Sequence, residues 1–376
     1  MSFKKFLLNK GIRFAVLMAL SYQIFMLGIY FYGYHAIPAN IDRLTVEFYN
    51  SDGTEGSQII KSLAGNLPYE VSFAGSLDEA EERLNERKTA MIIELPEGFG
   101  EGKTDFLNFH INKSNPQITV MSMQQTADSI VSALNGKTNM PAGKTFKTNF
   151  IFSNPTPQPM SNQMAPMFLT LALYSGAMIA SISIAAVFKA SCQNAGKWRM
   201  FTFFEVAGLL ISLVAPLINV GMAALLIHPP LEIVLKLYGQ GLLFQFCSFQ
   251  LTAVFSLLLG SYGSLVNTPL LMAQVLSSGA TMNYAMLPAP FKALANISPI
   301  YSNTQINYNI FYGGGGTGIH ELRLVLVGIV AVLIDICIVY LMRFNPNKDK
   351  KVDMNSISEE STMAATAAAA VTESEV

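Results

Sequence analysis

The chain has 376 residues, of which 51% are hydrophobic and 13% charged, with a formal net charge of −1 at pH 7. A soluble globular domain carries about 25% charged residues, so the composition argues against an entirely soluble protein. The near-zero net charge argues against a nucleic-acid-binding protein, which would show a basic face. The three cysteines all lie in or beside apolar segments, which leaves no disulfide framework or zinc site in the polar part of the chain.

The first apolar run covers residues 14–34 and follows a basic segment. A transmembrane helix needs about 20 apolar residues, and this run is long enough. A signal peptide would have a shorter apolar core followed by small residues, whereas residues 31–35 read Phe-Tyr-Gly-Tyr-His. We therefore predict a retained transmembrane helix at residues 14–34, after a cytoplasmic N-terminus of residues 1–13.

Residues 35–164 are polar and are predicted to form an extracytoplasmic α/β domain, because strands alternating with helices favour a small layered sheet. Ser76 stands at a helix N-cap with Glu79 three residues later, which is the capping-box pattern. The proline-rich residues 153–159 are predicted to be extended and to lead back to the membrane. Strands are predicted at 44–50, 69–73, 89–94 and 106–111, and helices at 57–67, 77–88 and 120–134.

Apolar runs resume after this domain and predict five more transmembrane helices within residues 165–342. The fold class is therefore a membrane α-helical protein of about six transmembrane helices with an inserted α/β domain. Residues 343–376 are predicted to be a cytoplasmic and mostly disordered tail, since they are rich in Ala, Ser, Thr and Glu without periodicity. The five runs are 165–188, 201–227, 242–259, 265–287 and 322–342.

Lysine and arginine residues in the short connections predict the orientation. They cluster in the N-terminal segment, between the second and third helices, and after the last helix. Six crossings place these three segments on one side, which we interpret as the cytoplasm. The chain is thus predicted to be a multi-pass protein of the bacterial cell membrane, with both termini cytoplasmic and the α/β domain outside.

Sequence motifs for catalysis and nucleotide binding are incomplete. Two Gly-Lys-Thr tripeptides, at 136–138 and 143–145, lack the earlier glycine of a phosphate-binding loop. Glycines 313–316 follow no strand and are predicted to be a flexible outer loop. The chain contains no His-Glu-x-x-His, Cys-x-x-Cys or Gly-x-Ser-x-Gly motif. We therefore expect neither an enzyme nor a cofactor or metal bound by this chain.

Polar side chains inside the apolar runs are candidate functional groups, because charge in lipid is costly. For Asp335 in the last helix, three explanations stay open: a proton or substrate role, a structural hydrogen bond to another helix, and a position near the cytoplasmic interface. Glu205 is interpreted either as a partner of Arg199 or as a contact for a cytoplasmic protein. Hydrogen bonds between helices are favoured over cargo binding for Asn219, Gln245, Gln250, Gln274 and Asn283.

Three stretches carry a family resemblance. Residues 46–53 read Val-Glu-Phe-Tyr-Asn-Ser-Asp-Gly, and residues 77–99 combine an acidic helix, an apolar strand and Pro-Glu-Gly-Phe. Residues 277–288, followed by Ile-Ser-Pro-Ile-Tyr at 297–301, form the third. With the order of helices and domain, they resemble an ABC-2-type permease, the membrane half of an ABC exporter, in the subgroup with a large domain between helices one and two. The third stretch is also similar to the phage-infection-protein branch, whose external domain is far longer.

The resemblance implies the permease subunit of an ATP-driven ABC exporter. ATP would be used by separate ABC ATPase subunits, and two permease copies, identical or merely similar, would form the pathway within membrane lipid. In the family, the hairpin before the last helix dips back into the outer leaflet, and Pro288, Pro290 and Pro299 interrupt it here. The alternative is a non-transporting scaffold or receptor-like membrane protein whose external domain binds a partner.

The basic connection at residues 189–199 is the predicted docking point for the ATPase, as the family's coupling helix would be. It contains Lys189, Lys197, Trp198 and Arg199, and Glu205 lies one turn inside the next helix. The alternative explanation is that these charges only anchor the chain according to the positive-inside rule.

Overall fold

The computed structural model describes residues 10–99, 103–136, 145–157 and 160–343. The predicted N-terminal segment before residue 10, most of the two Gly-Lys-Thr stretches (residues 137–144) and the predicted tail after residue 343 lie outside the described residues. The described part is mostly helical and includes one five-stranded sheet. Four of its helices are long and apolar enough to cross a membrane.

The sheet region has alternating helices and strands, close to the predicted boundaries. It follows helix α1 (Lys10–Tyr34) and the short helix α2 (Ala36–Ala39). Its elements are β1 (Thr45–Asn50), α3 (Gly53–Ala64), β2 (Glu70–Phe73), α4 (Leu77–Asn85), β3 (Met91–Leu95), β4 (Phe106–Asn112), α5 (Gln117–Asn135) and β5 (Lys147–Ser153).

The sheet has the strand order β2-β1-β3-β4-β5, in which only the β3–β4 pair is antiparallel. Helices α3 and α5 cover one face, where Val46 and Phe109 are fully buried. Helix α4 covers the other face over Ile92. The predicted cap is confirmed, since the Ser76 side chain accepts a hydrogen bond from the Glu79 amide at 3.3 Å. The domain is therefore a layered α/β unit, as the alternation of elements indicates.

Strand β5 was not predicted, since the predicted extended segment begins only at Ser153. The strand pairs in parallel with β4 from Phe106↔Lys147 to Asn112↔Ser153. Its side chains are exposed or half-buried in alternation, as in an edge strand with one covered face. Its apolar residues are confined to positions 150–152, which is too short a run to indicate a strand.

The remaining helices form the bundle. Helix α8 lies at its centre and is the most buried of the candidate spans. The polar contact between Ser181 and Thr252, at 2.9 Å, joins α6 to α8. Gly208 of α7 lies directly against the ring of Phe249 in α8. The helices are α6 (Met160–Ala195), α7 (Lys197–Leu226), α8 (Leu231–Leu259), α9 (Ser264–Leu276), α10 (Ala289–Ile297), α11 (Pro299–Tyr312) and α12 (Gly318–Leu341).

The predicted continuous helix at residues 265–287 is wrong, because α9 ends at Leu276. The chain turns at Gly279, whose φ of +79° favours glycine. The side chains of Tyr301 and Gln305 also fill the space that a Cβ would need there. A 3₁₀ turn (Tyr284–Met286) and the short helices α10 and α11 follow, with Pro288 as the N-cap of α10. The prolines thus mark a helical hairpin instead of one long helix.

The α/β domain and the hairpin share one hydrophobic core. Leu276, Met282 and Leu287 belong to the same buried cluster as Val46 of β1. The glycines at 313–316 are packed against the end of α4, where the Gly315 amide donates to the carbonyl oxygen of Asn85 at 3.2 Å. The domain therefore sits on one end of the bundle, where α1 and α9 end and α12 begins.

Candidate functional site

At the opposite end of the bundle, α6 and α7 meet at one residue. Gly196 has a φ of +82°, a conformation that side chains disfavour, and it separates the two helices. The predicted basic loop over residues 189–199 is therefore wrong in shape, since Lys189 lies inside α6 and Lys197 begins α7. We call Gly196, Lys197, Trp198 and Arg199 the coupling corner.

Lys197 joins the coupling corner to the last helix. Its Nζ donates hydrogen bonds to the carbonyl oxygens of Tyr340 at 2.7 Å and Met342 at 3.2 Å. These carbonyls belong to the C-terminal end of α12, which lacks helical donors and carries partial negative charge. Lys197 supplies both a hydrogen-bond donor and a positive charge to this helix end, and it fixes α7 against α12.

Trp198 and Arg199 point away from the bundle. Trp198 is 47% exposed and meets Phe201 edge-on, with ring centroids 6.3 Å apart. The Arg199 guanidinium is exposed and lies 5.7 Å from the ring centroid of Phe203. An indole and a guanidinium that are both accessible at a membrane-facing corner can contact either headgroups or a partner protein.

A second basic residue of the predicted docking segment lies near another turn at this end. The Lys189 Nζ is adjacent to Gly260, which connects α8 to the 3₁₀ turn Gly260–Gly263. Arg343 follows the end of α12 at the same side of the bundle. The described basic residues Lys189, Lys197, Arg199 and Arg343 are therefore close to one end, opposite to the α/β domain.

Glu205 lies two helical turns beyond Trp198 and does not pair with Arg199. One of its carboxylate oxygens accepts a hydrogen bond from the Gln250 side chain of α8 at 2.6 Å. The other oxygen has no hydrogen-bond partner among the described residues. The predicted pairing with Arg199 is replaced by a contact between two helices.

Asp335 of α12 is completely buried, and neither carboxylate oxygen has a hydrogen-bond partner within the described part of the chain. Glu205 is close enough to interact with it electrostatically. A buried carboxylate without a hydrogen-bond partner is strongly unfavourable, so Asp335 costs the folded protein free energy. The two acids lie on α7 and α12, the same helices that Lys197 joins.

Three of the other predicted polar residues bond helix to helix, as expected. The Gln274 amide donates to the Tyr174 hydroxyl at 2.9 Å and its oxygen accepts from Ser298 at 2.9 Å. The Asn219 amide donates to the Leu169 carbonyl oxygen at 3.3 Å. Gln250 likewise bonds to another helix, whereas neither side-chain polar atom of Gln245 has a partner among the described residues.

The prediction that Asn283 bonds one transmembrane helix to another is wrong. It precedes a 3₁₀ turn in the hairpin, and its side chain donates to the carbonyl oxygen of Arg87 and to the side-chain oxygen of Asn115, both at 3.3 Å. It therefore connects the hairpin to the α/β domain. Neither this contact nor the position of Arg87 could be predicted, because a residue between a helix and a strand gives no periodic signal.

The comparison with protein families gives a match over most of the chain. A family model described as ABC-2 family transporter protein matches residues 13–341 of this chain. That range includes the α/β domain, the hairpin and the bundle. No curated protein and no solved structure matches the chain.

Proposed function

This chain belongs to the ABC-2 family of transporter proteins, and from that premise we propose that it is the permease subunit of an ATP-driven exporter. Its apolar helices and its family make it a multi-pass membrane protein with a permease role. The proposal adds that separate ABC ATPase subunits dock at the coupling corner. The observation that carries it is the link from the exposed Trp198 and Arg199, through Lys197, to the last helix.

A displacement of the coupling corner would be transmitted directly to other helices of the bundle. A helix is a rigid element, so a displacement of the start of α7 moves Glu205 and pulls on the carbonyl oxygens held by Lys197. Both effects act on α12: the first acts on Asp335, which interacts electrostatically with Glu205, and the second acts on the C-terminal end of the helix. We propose that ATP binding by the partner shifts the bundle between two arrangements in this way. The ATPase must then contact the two arrangements with different affinity.

Interfacial anchoring alone also places lysine, arginine and tryptophan at this depth. Anchoring requires no fixed partner for Lys197, whereas this residue bonds to two carbonyl oxygens of another helix. It also gives no reason for two acids, Glu205 and Asp335, inside the adjoining helices. These features favour a corner that transmits motion.

We further propose that two permease chains form the pathway, in the cell membrane and with both termini cytoplasmic. Helix α1 supports the pairing, because it packs on α9 through Gly33 and Leu276 and leaves apolar side chains exposed elsewhere. The second chain, identical or similar, would cover part of that surface together with lipid. The exposed side chains are Val16, Leu20, Ile24, Leu27 and Phe31.

Affinity purification of the full chain in mild detergent, with identification of the co-purifying proteins, tests the proposed function. An ABC ATPase recovered in near-stoichiometric amount supports it. Recovery of other partners through the α/β domain, with no ATPase, would instead favour the scaffold or receptor-like alternative.

A further inference from the structure

A cavity of about 450 Å³ lies where the α/β domain meets the hairpin and the start of α12. One wall is the turn between α4 and β3, including Arg87 and Lys88. The opposite wall includes His320 and Arg323 of α12. The cavity lies at the end of the bundle away from the coupling corner and plays no part in the proposed ATPase contact.

Arg87 is a buried cation in this wall. It is only 8% exposed, and its backbone has a φ of +60°, which is unusual for a residue with a side chain. Its guanidinium donates to Ser114 at 3.2 Å and to Asn309 at 2.8 Å. Its Nη2 has no hydrogen-bond partner, and no carboxylate pairs with it, among the described residues.

The charge on Arg87 is retained at neutral pH. Burial lowers the pKa of its guanidinium to about 10, which is still above the pH of the surroundings. A buried cation without a counter-charge destabilises the protein, since desolvation is not offset by a nearby anion. The Tyr308 ring, 5.3 Å from the guanidinium, compensates only in part. The site therefore has an excess of positive charge that an anion would balance.

Other donors at the cavity also lack partners. The Asn115 side-chain nitrogen and the His320 Nδ1 are buried and have no hydrogen-bond partner within the described part of the chain. Arg323 is half-buried and forms no ion pair there either. Lys88 is neutralised by its contact with Glu86. The remaining groups thus combine two guanidiniums with neutral side chains able to donate hydrogen bonds.

The rim of the cavity is apolar on the side of α12. Ile319 lines the cavity and is 56% exposed, and Leu322 in the next turn is 53% exposed. Tyr301 stands beside the His320 ring, with centroids 5.8 Å apart. A ligand with a charged head and an apolar tail could place the head between the guanidiniums and the tail along α12.

We propose that this cavity binds a phosphate-type oxyanion, held by Arg87, Arg323 and Asn115. Guanidiniums bind such groups through two parallel charge-assisted hydrogen bonds, and the free Nη2 of Arg87 supplies one donor. The oxyanion comes either from the headgroup of an anionic lipid or from a free phosphate. This site goes beyond the proposed permease function and does not depend on ATPase coupling.

The test measures ligand binding by the full chain purified in detergent, through the rise in its thermal unfolding midpoint with ligand concentration. The probes are dihexanoyl phosphatidylglycerol, dihexanoyl phosphatidylcholine and inorganic phosphate. Arg323→Gln is the main variant, because Arg323 forms no ion pair that folding would lose. Arg343→Gln, at the other end of the same helix, is the matched control for loss of one charge.

We expect phosphatidylglycerol to stabilise the wild type and Arg343→Gln at the same concentration, and Arg323→Gln to need about tenfold more. If inorganic phosphate stabilises the protein and competes with phosphatidylglycerol, the site binds a free oxyanion. If inorganic phosphate does neither, binding of the headgroup requires the acyl chains of the lipid. Arg87→Gln, if it folds, should lose the response altogether. Equal affinity of Arg323→Gln and wild type, equal stabilisation by phosphatidylglycerol and phosphatidylcholine without stabilisation by inorganic phosphate, or no response to any probe would overturn the proposal.

Discussion

Lys197 and Tyr340 are 143 positions apart in the chain, and the Nζ of the first donates to the carbonyl oxygen of the second at 2.7 Å. The bond joins the first residue of α7 to the penultimate residue of α12. It is a helix C-cap supplied by another helix. Any movement of the coupling corner therefore reaches the last helix without passing through the rest of the bundle.

Replacing Lys197 by glutamine should loosen this connection. The change removes the positive charge from the end of α12 and should lower the free energy of unfolding by about 0.5–2 kcal/mol. The measurement is thermal unfolding of the full chain in detergent. Lys197→Arg keeps the charge and the donors, so it should remain close to wild type. A Lys197→Gln variant as stable as wild type would show that the bond contributes nothing.

The close packing of α7 on α8 gives a matched pair of glycines. Gly208→Ala places a methyl group against the ring of the fully buried Phe249, which has no room to move. We expect this overpacking to destabilise the protein by about 1–3 kcal/mol. Gly221→Ala on the same helix meets nothing within 4 Å, and alanine favours helices, so its stability should be equal or higher. Equal unfolding midpoints for the two variants would contradict this packing.

The sidedness of the membrane is tested by single cysteines in a chain whose three natural cysteines are replaced. Ser129→Cys on the exposed side of α5 should react with an impermeant thiol reagent in intact cells. Arg343→Cys, after the end of α12, should react only after permeabilisation. The reverse pattern would invert the predicted orientation, and labelling of both positions in intact cells would rule out the proposed crossing of the bundle.

The variant Asp335→Asn distinguishes a role of Asp335 in packing from a role in coupling the bundle to ATP hydrolysis. The neutral amide is cheaper to bury than a carboxylate, so the unfolding midpoint should not fall. The rate of ATP hydrolysis by the assembled transporter should decrease about tenfold, which corresponds to a rise of about 1.4 kcal/mol in the barrier of the rate-limiting step. The measurement compares ATPase activity and unfolding in the same preparation. Unchanged hydrolysis would assign Asp335 a role in packing alone.

The secondary structure of the most apolar elements could be predicted from the sequence. Strands such as β1 and β3, with Val46 and Ile93 inside, are apolar enough to be recognised, and so are α7, α8 and α12. The cap at Ser76 was predictable because its pattern is local. Elements that combine exposed and half-buried side chains, such as the edge strand β5, could not be predicted.

The broken helix after Leu276 shows why hydropathy misleads. Met282, Met286 and Leu287 are buried in the core that the hairpin shares with the α/β domain, and such apolar side chains also suit a lipid-facing helix. The partners of Lys197 and Glu205 were equally out of reach. Both contacts join residues far apart in the chain, and neither leaves a trace in local periodicity.

The coupling corner itself is tested by the double variant Trp198→Ala/Arg199→Ala. Aromatic and arginine side chains are the most frequent energetic anchors of protein contacts, so the double variant should weaken ATPase association by about 2–4 kcal/mol. Membrane insertion should be unaffected, since both side chains are exposed and neither fills the bundle core. The control is Leu235→Ala/Lys236→Ala, which removes an exposed apolar and an exposed basic side chain at the other end of the bundle.

The most direct measurement is therefore the amount of ATPase that co-purifies with the wild-type chain and with these two double variants at matched expression. We predict full recovery with the wild type and with Leu235→Ala/Lys236→Ala, and a strong loss with Trp198→Ala/Arg199→Ala. Undiminished recovery with the corner variant would contradict the assigned docking point. Recovery of no ATPase with the wild type would contradict the permease account as a whole.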